Sequence, residues 1–299
     1  MKKLAGVYEA KKKNGQIYYR SSITFLQKHI SLGSFSEALL AHYAYLEADA
    51  ILHDAARFSI EQLDTWFTPT KKVLRSSTED SCMQMQAEDI SRIRLLALEK
   101  VITLLNFRDH GIYLSSPIYL KQHFFYYYLS ATHRLTFDKD DLFYYSSHKI
   151  MKRGNHLFVA DYGMQITIAS RYGIKSYAVK DRDYRFINQD DTDFRYANLE
   201  IINHYHGVQR EGVFGNYKYR TRIHINGNFQ IGLFDDEETA AIAYNKAADY
   251  CHAHGITKQF PVNYIEGMSP KEYARIYSAI LLPKRFTASP IIAGNNPQS

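Results

Sequence analysis

Residues 213–264 read VFGNYKYRTRIHINGNFQIGLFDDEETAAIAYNKAADYCHAHGITKQFPVNY. Polar and apolar side chains alternate along residues 218–225, which is the period of a strand with one buried face. Asn226-Gly227 is the strongest short hairpin signal, and the chain returns as residues 229–234. We therefore predict an antiparallel hairpin whose buried positions are Tyr219, Thr221, Ile223 and Ile225.

A helix is expected directly after this hairpin. Asp235 or Asp236 is a suitable N-cap, Glu237 and Glu238 favour a first helical turn, and Gly255 is a typical helix stop. Small side chains on one side would let the helix lie close to the sheet. They are Ala240, Ala241, Ala243, Ala247, Ala248 and Cys251, with Tyr244 on the same side. Since the helix covers the apolar face, the other face of the sheet is predicted to point outward.

The outward face carries basic and amide side chains, namely Lys218, Arg220, Arg222, His224, Asn228 and Gln230. A ribbon of this kind fits the major groove of DNA, where Arg forks onto guanine and Asn or Gln onto adenine. The alternative is an ordinary solvated sheet face, where charged residues commonly lie.

The pattern KYRTRIHINGNFQIGLFDDEETAAIAYNKAADY…PVNY resembles the Apetala-type (ethylene-response-factor) DNA-binding domain over about 50 residues. Tyr219, Thr221 and Ile223 fall where that family has a W-x-A-x-I strand. Residues 232–234 are similar to its L-G-T-F turn, AAIAYNKAA to its E-A-A-x-A-Y-x-x-A-A helix, and residues 261–263 to its terminal N-F-P.

Members of that family read the major groove with a three-stranded sheet, so the resemblance implies that the six outward residues face DNA. The family commonly has Arg and Trp on its third strand, where this chain has Asn228 and Gln230. That departure leaves the base preference open.

Residues 1–53 repeat the same arrangement, with an offset of 200 between Tyr19 and Tyr219 and of 199 between Phe35 and Phe234. Ser36 is expected to cap a helix that ends near His53. The predicted DNA contacts of this copy are Tyr18, Arg20 and Ser22 on the strand and Lys11, Lys12 and Lys13 on a basic turn. The lysines are expected to contact phosphates, and the two copies suggest two clamps on one duplex.

The composition permits nucleic-acid binding, with a formal net charge of +6 and a pI near 9.0. No apolar run is long enough for a membrane span, and no signal peptide is recognised. Cys82 and Cys251 lie far apart without metal-ligand spacing, which favours reduced thiols in the cytoplasm.

The middle of the chain is predicted to be a helical spacer over residues 54–137. Residues 88–106 show a helical period of apolar side chains, and Pro117 is expected to begin a second helix through PIYLKQHFFYYYLS. Residues 68–86 are polar and form the best candidate for a linker. A protein partner at this spacer is an open possibility.

Residues 187–190 and 193–202 resemble the I-N-G-D and D-N-R-x-x-N-L segments of phage and intron-borne HNH endonucleases. The resemblance implies a ββα fold over residues 138–206. In that family an Asp binds the catalytic metal, the next His activates water and a later Asn orients the His. Carried over by position, these roles fall on Arg185, Phe186 and Asn198.

The chemistry of these positions predicts a site that does not cleave DNA. Phe186 has no group that accepts a proton, and Arg185 repels a cation instead of binding it. Arg185 is instead expected to contact phosphate directly. We predict no metal, although the histidines at 204 and 206 leave that point open, and no cofactor.

These observations predict an α+β protein with two small modules, each a three-stranded antiparallel sheet plus a helix, a helical spacer and an HNH-like ββα module. The predicted ranges are 1–53, 54–137, 138–206, 207–265 and, for a C-terminal helix and tail, 266–299. The expected partner is double-stranded DNA, without membrane contact, in the cytoplasm of a bacterium or phage-infected cell. The expected role is transcriptional or mobile-element regulation.

Two alternatives remain at this point. One is an active HNH-type homing endonuclease whose ligands align differently. The other is a protein-interaction or inhibitor module that acts on a DNA-processing machine. The sequence predicts neither the target site nor the oligomeric state.

Overall fold

The computed structural model describes residues 4–67, 94–154 and 156–293. The architecture is α+β, as predicted, and is built from helices and small sheets of two or three strands. The described residues fall into two compact units. One lies within Met1–Ile166 together with Thr192–Arg195, and the other within Thr167–Asp191 together with Tyr196–Ser299.

The first unit begins with a three-stranded antiparallel sheet and a helix that contacts all three strands. Ala41, Ala44 and Ala48 of that helix are fully buried, which lets it lie close to the sheet. The elements are β1 (Val7–Lys11), β2 (Ile17–Phe25), β3 (Lys28–Phe35) and α1 (Ala38–His53). The predicted cap was wrong, because Glu37, not Ser36, occupies the extended position before α1, and no side chain caps it.

The region predicted as a helical spacer is helical only in part. Residues 117–130, predicted as a helix, contain two strands, because the run of Phe and Tyr over residues 124–128 favours strand pairing. The predicted linker, residues 68–86, lies outside the described residues. The elements are a 3₁₀ turn (Ile60–Gln62), α2 (Leu63–Trp66), α3 (Leu98–His110), β4 (Ile118–Leu120), β5 (Phe124–Tyr128) and β6 (Arg134–Asp138).

Helix α3 overlaps the C-terminal part of the helix predicted over residues 88–106 and is buried along residues 101–107. Residues 88–93 lie outside the described residues, and residues 94–97 are not helical. Helix α3 shares one hydrophobic core with α1 and the sheet β1–β3, so the N-terminal module is anchored to the middle of the chain. The rest of the unit contains a 3₁₀ turn (Lys139–Asp141), α4 (Leu142–Ser147), β7 (Ile150–Arg153), β8 (His156–Asp161) and β9 (Met164–Thr167).

The second unit begins with α5 (Ile168–Arg171) and an antiparallel pair, β10 (Tyr184–Phe186) and β11 (Leu199–Ile201). The helix of the predicted ββα module does not follow β11, since residues 202–207 lead directly to the next sheet. The carbonyl of Asp183 accepts hydrogen bonds from the backbone N–H groups of Ile202 and Asn203 at 2.8 and 3.0 Å. These contacts hold the chain extended where a helix would begin.

A second three-stranded antiparallel sheet with a covering helix completes the unit. Asp236 is the N-cap, as predicted for one of the two aspartates, and accepts a hydrogen bond from Thr239 N at 2.6 Å. The elements are β12 (Val208–Val213), β13 (Asn216–His224), β14 (Asn228–Phe234) and α6 (Glu237–Ala253), then α7 (Pro270–Ala279), α8 (Lys284–Thr287) and α9 (Pro290–Ala293).

The C-terminal helices extend the core of this sheet and helix. Phe286 and Ile292 are fully buried in the same cluster as Ile223 and the alanines of α6. Cys251 lies in that core, and burial raises the pKa of its thiol to about 11, so the thiol is protected from reaction. Cys82 lies outside the described residues. Among the described helices, none is long and apolar enough to cross a membrane.

The two modules share an irregularity of strand pairing at the same place. In β2–β3 the pairing steps from Ser21↔Gly33 to Ser22↔Ser31, and in β13–β14 it steps from Thr221↔Gly232 to Arg222↔Gln230. Each module therefore has a β-bulge at positions related by the sequence offset. A bulge re-aims the side chains beyond it, so its repetition indicates the same outward geometry in both sheets.

A glycine beneath the helix is the second shared feature. Gly6 and Gly207 have φ values of +74° and +73°, and their carbonyl oxygens accept hydrogen bonds from Ser22 N and Arg222 N at 3.0 and 2.8 Å. An added Cβ would lie 2.2 Å from the ring of Tyr45 in one module and of Tyr244 in the other. The repeat thus extends to the contact between strand and helix.

Candidate nucleic-acid interface

The outer face of the C-terminal sheet has the predicted alternation. Lys218, Arg222 and His224 are exposed, whereas Thr221 and Ile223 are almost completely buried. Asn228 and Gln230 of β14 lie opposite His224 and Arg222 in the strand register and are also exposed. The six predicted side chains therefore lie on one face.

Thr221 supports this face from below. Its hydroxyl donates a hydrogen bond to the carbonyl oxygen of Ala240 in α6 at 2.8 Å. The contact ties the middle of β13 to the helix between the two outward arginines, so the face is presented on a rigid support.

Acidic and amide side chains already engage most of the outward polar groups. Lys218 forms an ion pair with Asp235, and His224 shares a hydrogen bond of 3.0 Å with Asn228. Arg220 binds both carboxylate oxygens of Glu211 and the amide oxygen of Gln230. The hydrogen bonds from Arg220 lower the pKa of Glu211, so Glu211 is ionised near neutral pH. The face is less positive than its sequence suggests.

Arg222 is the exception on this face, because its guanidinium has no hydrogen bond or ion pair with any described residue. It lines a cleft of about 240 Å³ beside β12, together with Arg182, Tyr177, His206 and Asn228. Arg222 is therefore free to bind an anion, and the cleft continues the basic face beyond the sheet.

The outer face of the N-terminal sheet has a different character. Arg20 donates two hydrogen bonds to the hydroxyl of Tyr18, at 2.7 and 3.2 Å, and forms no ion pair with a carboxylate of the described residues. Lys12 contacts the side chain of Gln16 at 3.1 Å, and Lys13 is exposed on the same turn. Lys11 was predicted on this turn, but it is the last residue of β1 and pairs with Ile17; its side chain is also exposed.

Ser22 does not lie at the surface, contrary to its predicted role as a DNA contact. It occupies the position that Arg222 has in the other module, but only 7% of it is accessible. Its short side chain does not extend beyond the surrounding surface, whereas the long side chain of Arg222 does. Ser22 is therefore not part of the candidate interface.

Two residues of the segment predicted to be HNH-like, here residues 185–202, have structural roles. Phe186 is 6% exposed and Asn198 is buried. The side-chain oxygen of Asn198 accepts a hydrogen bond from Asn188 N at 2.8 Å, and its carbonyl accepts one from Ile187 N. Asn198 therefore shapes the turn after β10, where Gln189 has a φ of +64°.

Arg185 is exposed but paired. It donates to Glu200 at 2.8 Å, and Arg210 also contacts Glu200 at 3.2 Å. Burial alone would raise the pKa of Glu200, but the hydrogen bonds from the two arginines lower it on balance. Two cations share one carboxylate here, so the cluster keeps a net positive charge.

Asp183 joins the HNH-like segment to the sheet. Its carboxylate accepts hydrogen bonds from Val179 N, Arg182 and Asn203, and Asn203 in turn accepts one from Arg210 N at 2.7 Å. Burial opposes ionisation of Asp183, yet these donors lower its pKa on balance. This network fixes Arg182 beside the cleft that Arg222 lines.

The two histidines near β12 have opposite environments. His204 contacts the carboxylate of Glu237 at 2.8 Å, and this hydrogen bond raises its pKa. His206 packs edge-on against the rings of Tyr177 and Tyr244, and burial lowers its pKa. Within the described ranges, no group of three or more His, Cys, Asp or Glu side chains is arranged to hold a metal ion.

His204 gives a pH-dependent prediction. Because its folded-state pKa is raised above the ordinary 6.5, its ion pair stabilises the fold below that pH and the contribution is lost as pH rises through the folded-state pKa. We expect His204→Gln to lower the free energy of unfolding by up to about 1 kcal/mol at pH 5.5 and by little at pH 8.5. Urea titrations at the two pH values measure the difference.

Burial lowers the pKa of His206, which gives the opposite dependence of stability on pH. His206 is present in both the unchanged protein and His204→Gln, so its contribution cancels from the difference between them. The backbone N–H of His204 also binds Glu237, at 2.7 Å, and the substitution leaves that contact in place. An equal loss at both pH values would contradict the assigned role of the imidazolium.

Several residues of the candidate interface were not predicted. Glu211, Arg182, Asp183 and Tyr177 belong to it by position. The sequence did contain a signal for the strand that carries Glu211. When Gly207-Val208 is aligned with Gly6-Val7, β12 corresponds to β1 and is expected to pair with β13 as β1 pairs with β2. The other three are brought close by the Asp183 network, which has no local sequence pattern.

Comparison with family models, with curated proteins and with solved structures gives no significant match for this chain. The Apetala-type and HNH-type resemblances therefore stay predictions.

Proposed function

We propose that the chain is a non-catalytic, sequence-specific double-stranded DNA-binding protein, with a role in transcriptional or mobile-element regulation. The observation that carries the proposal is the duplicated module, in which the same bulge and the same glycine–tyrosine contact present an outward polar sheet face twice. A twisted strand ribbon with outward Arg, Asn and Gln is suited to base edges in the major groove.

The charged side chains of the two outer sheet faces support different roles for the N-terminal and the C-terminal module. Exposed lysines of the N-terminal turn are suited to phosphate contacts, which add affinity without sequence preference. The C-terminal face offers groups held in place by neighbours, which is the requirement for base recognition. A single small module buries only about 600–1,000 Å² on DNA, so two modules on one chain add affinity.

The absence of catalysis rests on the chemistry of residues 185–198. A buried Phe186 offers no base, and Arg185 offers a positive charge in place of a metal ligand. Asn198 has its side-chain oxygen bound to a backbone N–H of a turn. These features disfavour the alternative of an active HNH-type endonuclease.

The protein-interaction alternative is favoured by one observation. Asp235 and Glu211 neutralise two cations of the C-terminal face, which weakens attraction for a polyanion. The DNA-binding proposal accommodates this, because Arg222 and the N-terminal lysines keep their charge. Location on DNA in the cytoplasm of a bacterium or phage-infected cell is part of the proposal.

Selection of bound duplexes from a random pool, with Mg²⁺ present and cleavage scored on the same samples, tests the proposal. We expect enrichment of one defined sequence and intact DNA in either Mg²⁺ or Mn²⁺. Nicking that disappears with Asn198→Ala would favour the endonuclease. Failure to enrich any sequence, with no salt-dependent binding, would favour the protein-interaction module.

A further inference from the structure

Arg220 donates three hydrogen bonds to two neighbouring side chains. Its Nε and Nη2 donate to the two carboxylate oxygens of Glu211 at 2.6 and 2.5 Å, and its Nη1 donates to the side-chain oxygen of Gln230 at 2.7 Å. Glu211 lies on β12 and Gln230 on β14, so neighbouring strands on both sides fix one guanidinium on the central strand.

An acid on a surface that meets DNA reduces attraction for every phosphate nearby. Glu211 therefore needs a role other than binding, if this face meets DNA. A bidentate carboxylate removes the rotational freedom of an Arg side chain and fixes the plane of its guanidinium.

The geometry leaves part of the guanidinium free. Arg has five N–H donors, and three are used by Glu211 and Gln230. One donor remains on Nη1 and one on Nη2. The edge that joins Nη1 and Nη2 carries two parallel donors, which match the O6 and N7 acceptors of guanine when Gln230 is bound through the other Nη1 hydrogen.

The N-terminal module has no carboxylate at the position that corresponds to Glu211. The register that pairs Val208 with Thr221 in one sheet pairs Val7 with Ser21 in the other, so Ala10 stands where Glu211 stands. Among the described residues, Arg20 has only Tyr18 as a side-chain partner, through the hydroxyl and the ring. Arg220 is therefore fixed by a carboxylate, whereas Arg20 has no carboxylate that fixes its guanidinium in the same way.

We infer that Glu211 is a positioning residue that fixes Arg220 for recognition of a guanine base, and that this makes the C-terminal module the sequence-reading one. The inference rests on the proposed DNA-binding function. Glu211 acts through Arg220 and does not itself contact the base.

The test uses the full chain and its selected duplex, in which each guanine in turn is replaced by 7-deazaguanine, which lacks the N7 acceptor. We expect one replacement to weaken binding of the unchanged protein about tenfold, the scale of one bidentate contact. Glu211→Gln and Arg220→Ala should abolish most of that sensitivity. Glu211→Gln should also bind unrelated duplexes about two- to fivefold more tightly, because a negative charge is removed.

Glu238→Gln is the matched control, since it removes the same charge from an exposed position in the first turn of α6. It should keep the sensitivity of the unchanged protein. The NMR signal of the Arg220 Nε–H, protected in the free protein and lost in Glu211→Gln, reports the positioning contact without DNA.

Full sensitivity to 7-deazaguanine in Glu211→Gln would overturn the inference while leaving DNA binding intact. Sensitivity that survives Arg220→Ala would also overturn it, because an Ala side chain offers no donor to N7. No binding of the unchanged protein to any duplex would overturn the proposed function and this inference with it.

Discussion

Gly207→Ala is expected to destabilise the second unit by about 2–5 kcal/mol. The added Cβ would lie 2.2 Å from the Tyr244 ring and 2.6 Å from the carbonyl oxygen of Arg222, in a backbone conformation that L side chains rarely adopt. The left-handed conformation alone costs about 1–2 kcal/mol, and overpacking adds about 1–3 kcal/mol. Chemical denaturation followed by circular dichroism measures the loss.

Gly215→Ala is the matched control. Its φ is +84°, similar to that of Gly207, but nothing lies within 4 Å of the added Cβ. We expect it to show only the conformational cost of about 1–2 kcal/mol. Equal losses for the two variants would mean that the contact with Tyr244 is not a tight one. Gly6→Ala should match Gly207→Ala, because Tyr45 lies as close to it.

Replacing Lys11, Lys12 and Lys13 together with Ala is expected to weaken binding to all duplexes alike, by on the order of a hundredfold at low salt. Each lost phosphate contact should reduce the slope of log K against log salt by about 0.9. The reason is that these lysines are exposed at the end of β1 and on the turn that follows it, from which a side chain reaches phosphate more readily than base edges. Fluorescence anisotropy at several salt concentrations provides the measurement.

Arg222→Ala is the comparison for that variant. Its guanidinium is free and lies on the face proposed to read bases, so its loss should cost about 1–3 kcal/mol at the selected site and less elsewhere. If the lysine variant altered sequence preference while Arg222→Ala did not, the roles assigned to the two faces would be reversed.

The sequence predicted the C-terminal hairpin and the start of its covering helix from local patterns. The alternation at residues 218–225, the Asn226-Gly227 turn and the Asp236 cap each depend on neighbours along the chain, and each is present. The aromatic run at residues 124–128 was misread as a helix, because a short run of Phe and Tyr packs well in either element and its partner strands lie elsewhere in the chain.

The candidate site was predicted less completely than the fold. Which side chains point outward follows from the strand period, but which of them are neutralised depends on the register between strands. Glu211 reaches Arg220 only because β12 pairs with β13 in the observed register. Ser22 shows a second reason. The sequence placed it correctly on the outer side of the strand, but its side chain is too short to reach the surface.

The glycine–tyrosine contact lies beneath each sheet and the bulge is formed by its backbone, so neither is made by the outward side chains. Substitutions on the outer face therefore leave the parts that hold strand and helix together unchanged. The two copies illustrate this freedom, since Ala10 and Ser22 stand in one where Glu211 and Arg222 stand in the other. The module is thus a template for grafting, in which the outward residues of one sheet are transplanted onto the other to give a chain with two identical recognition surfaces.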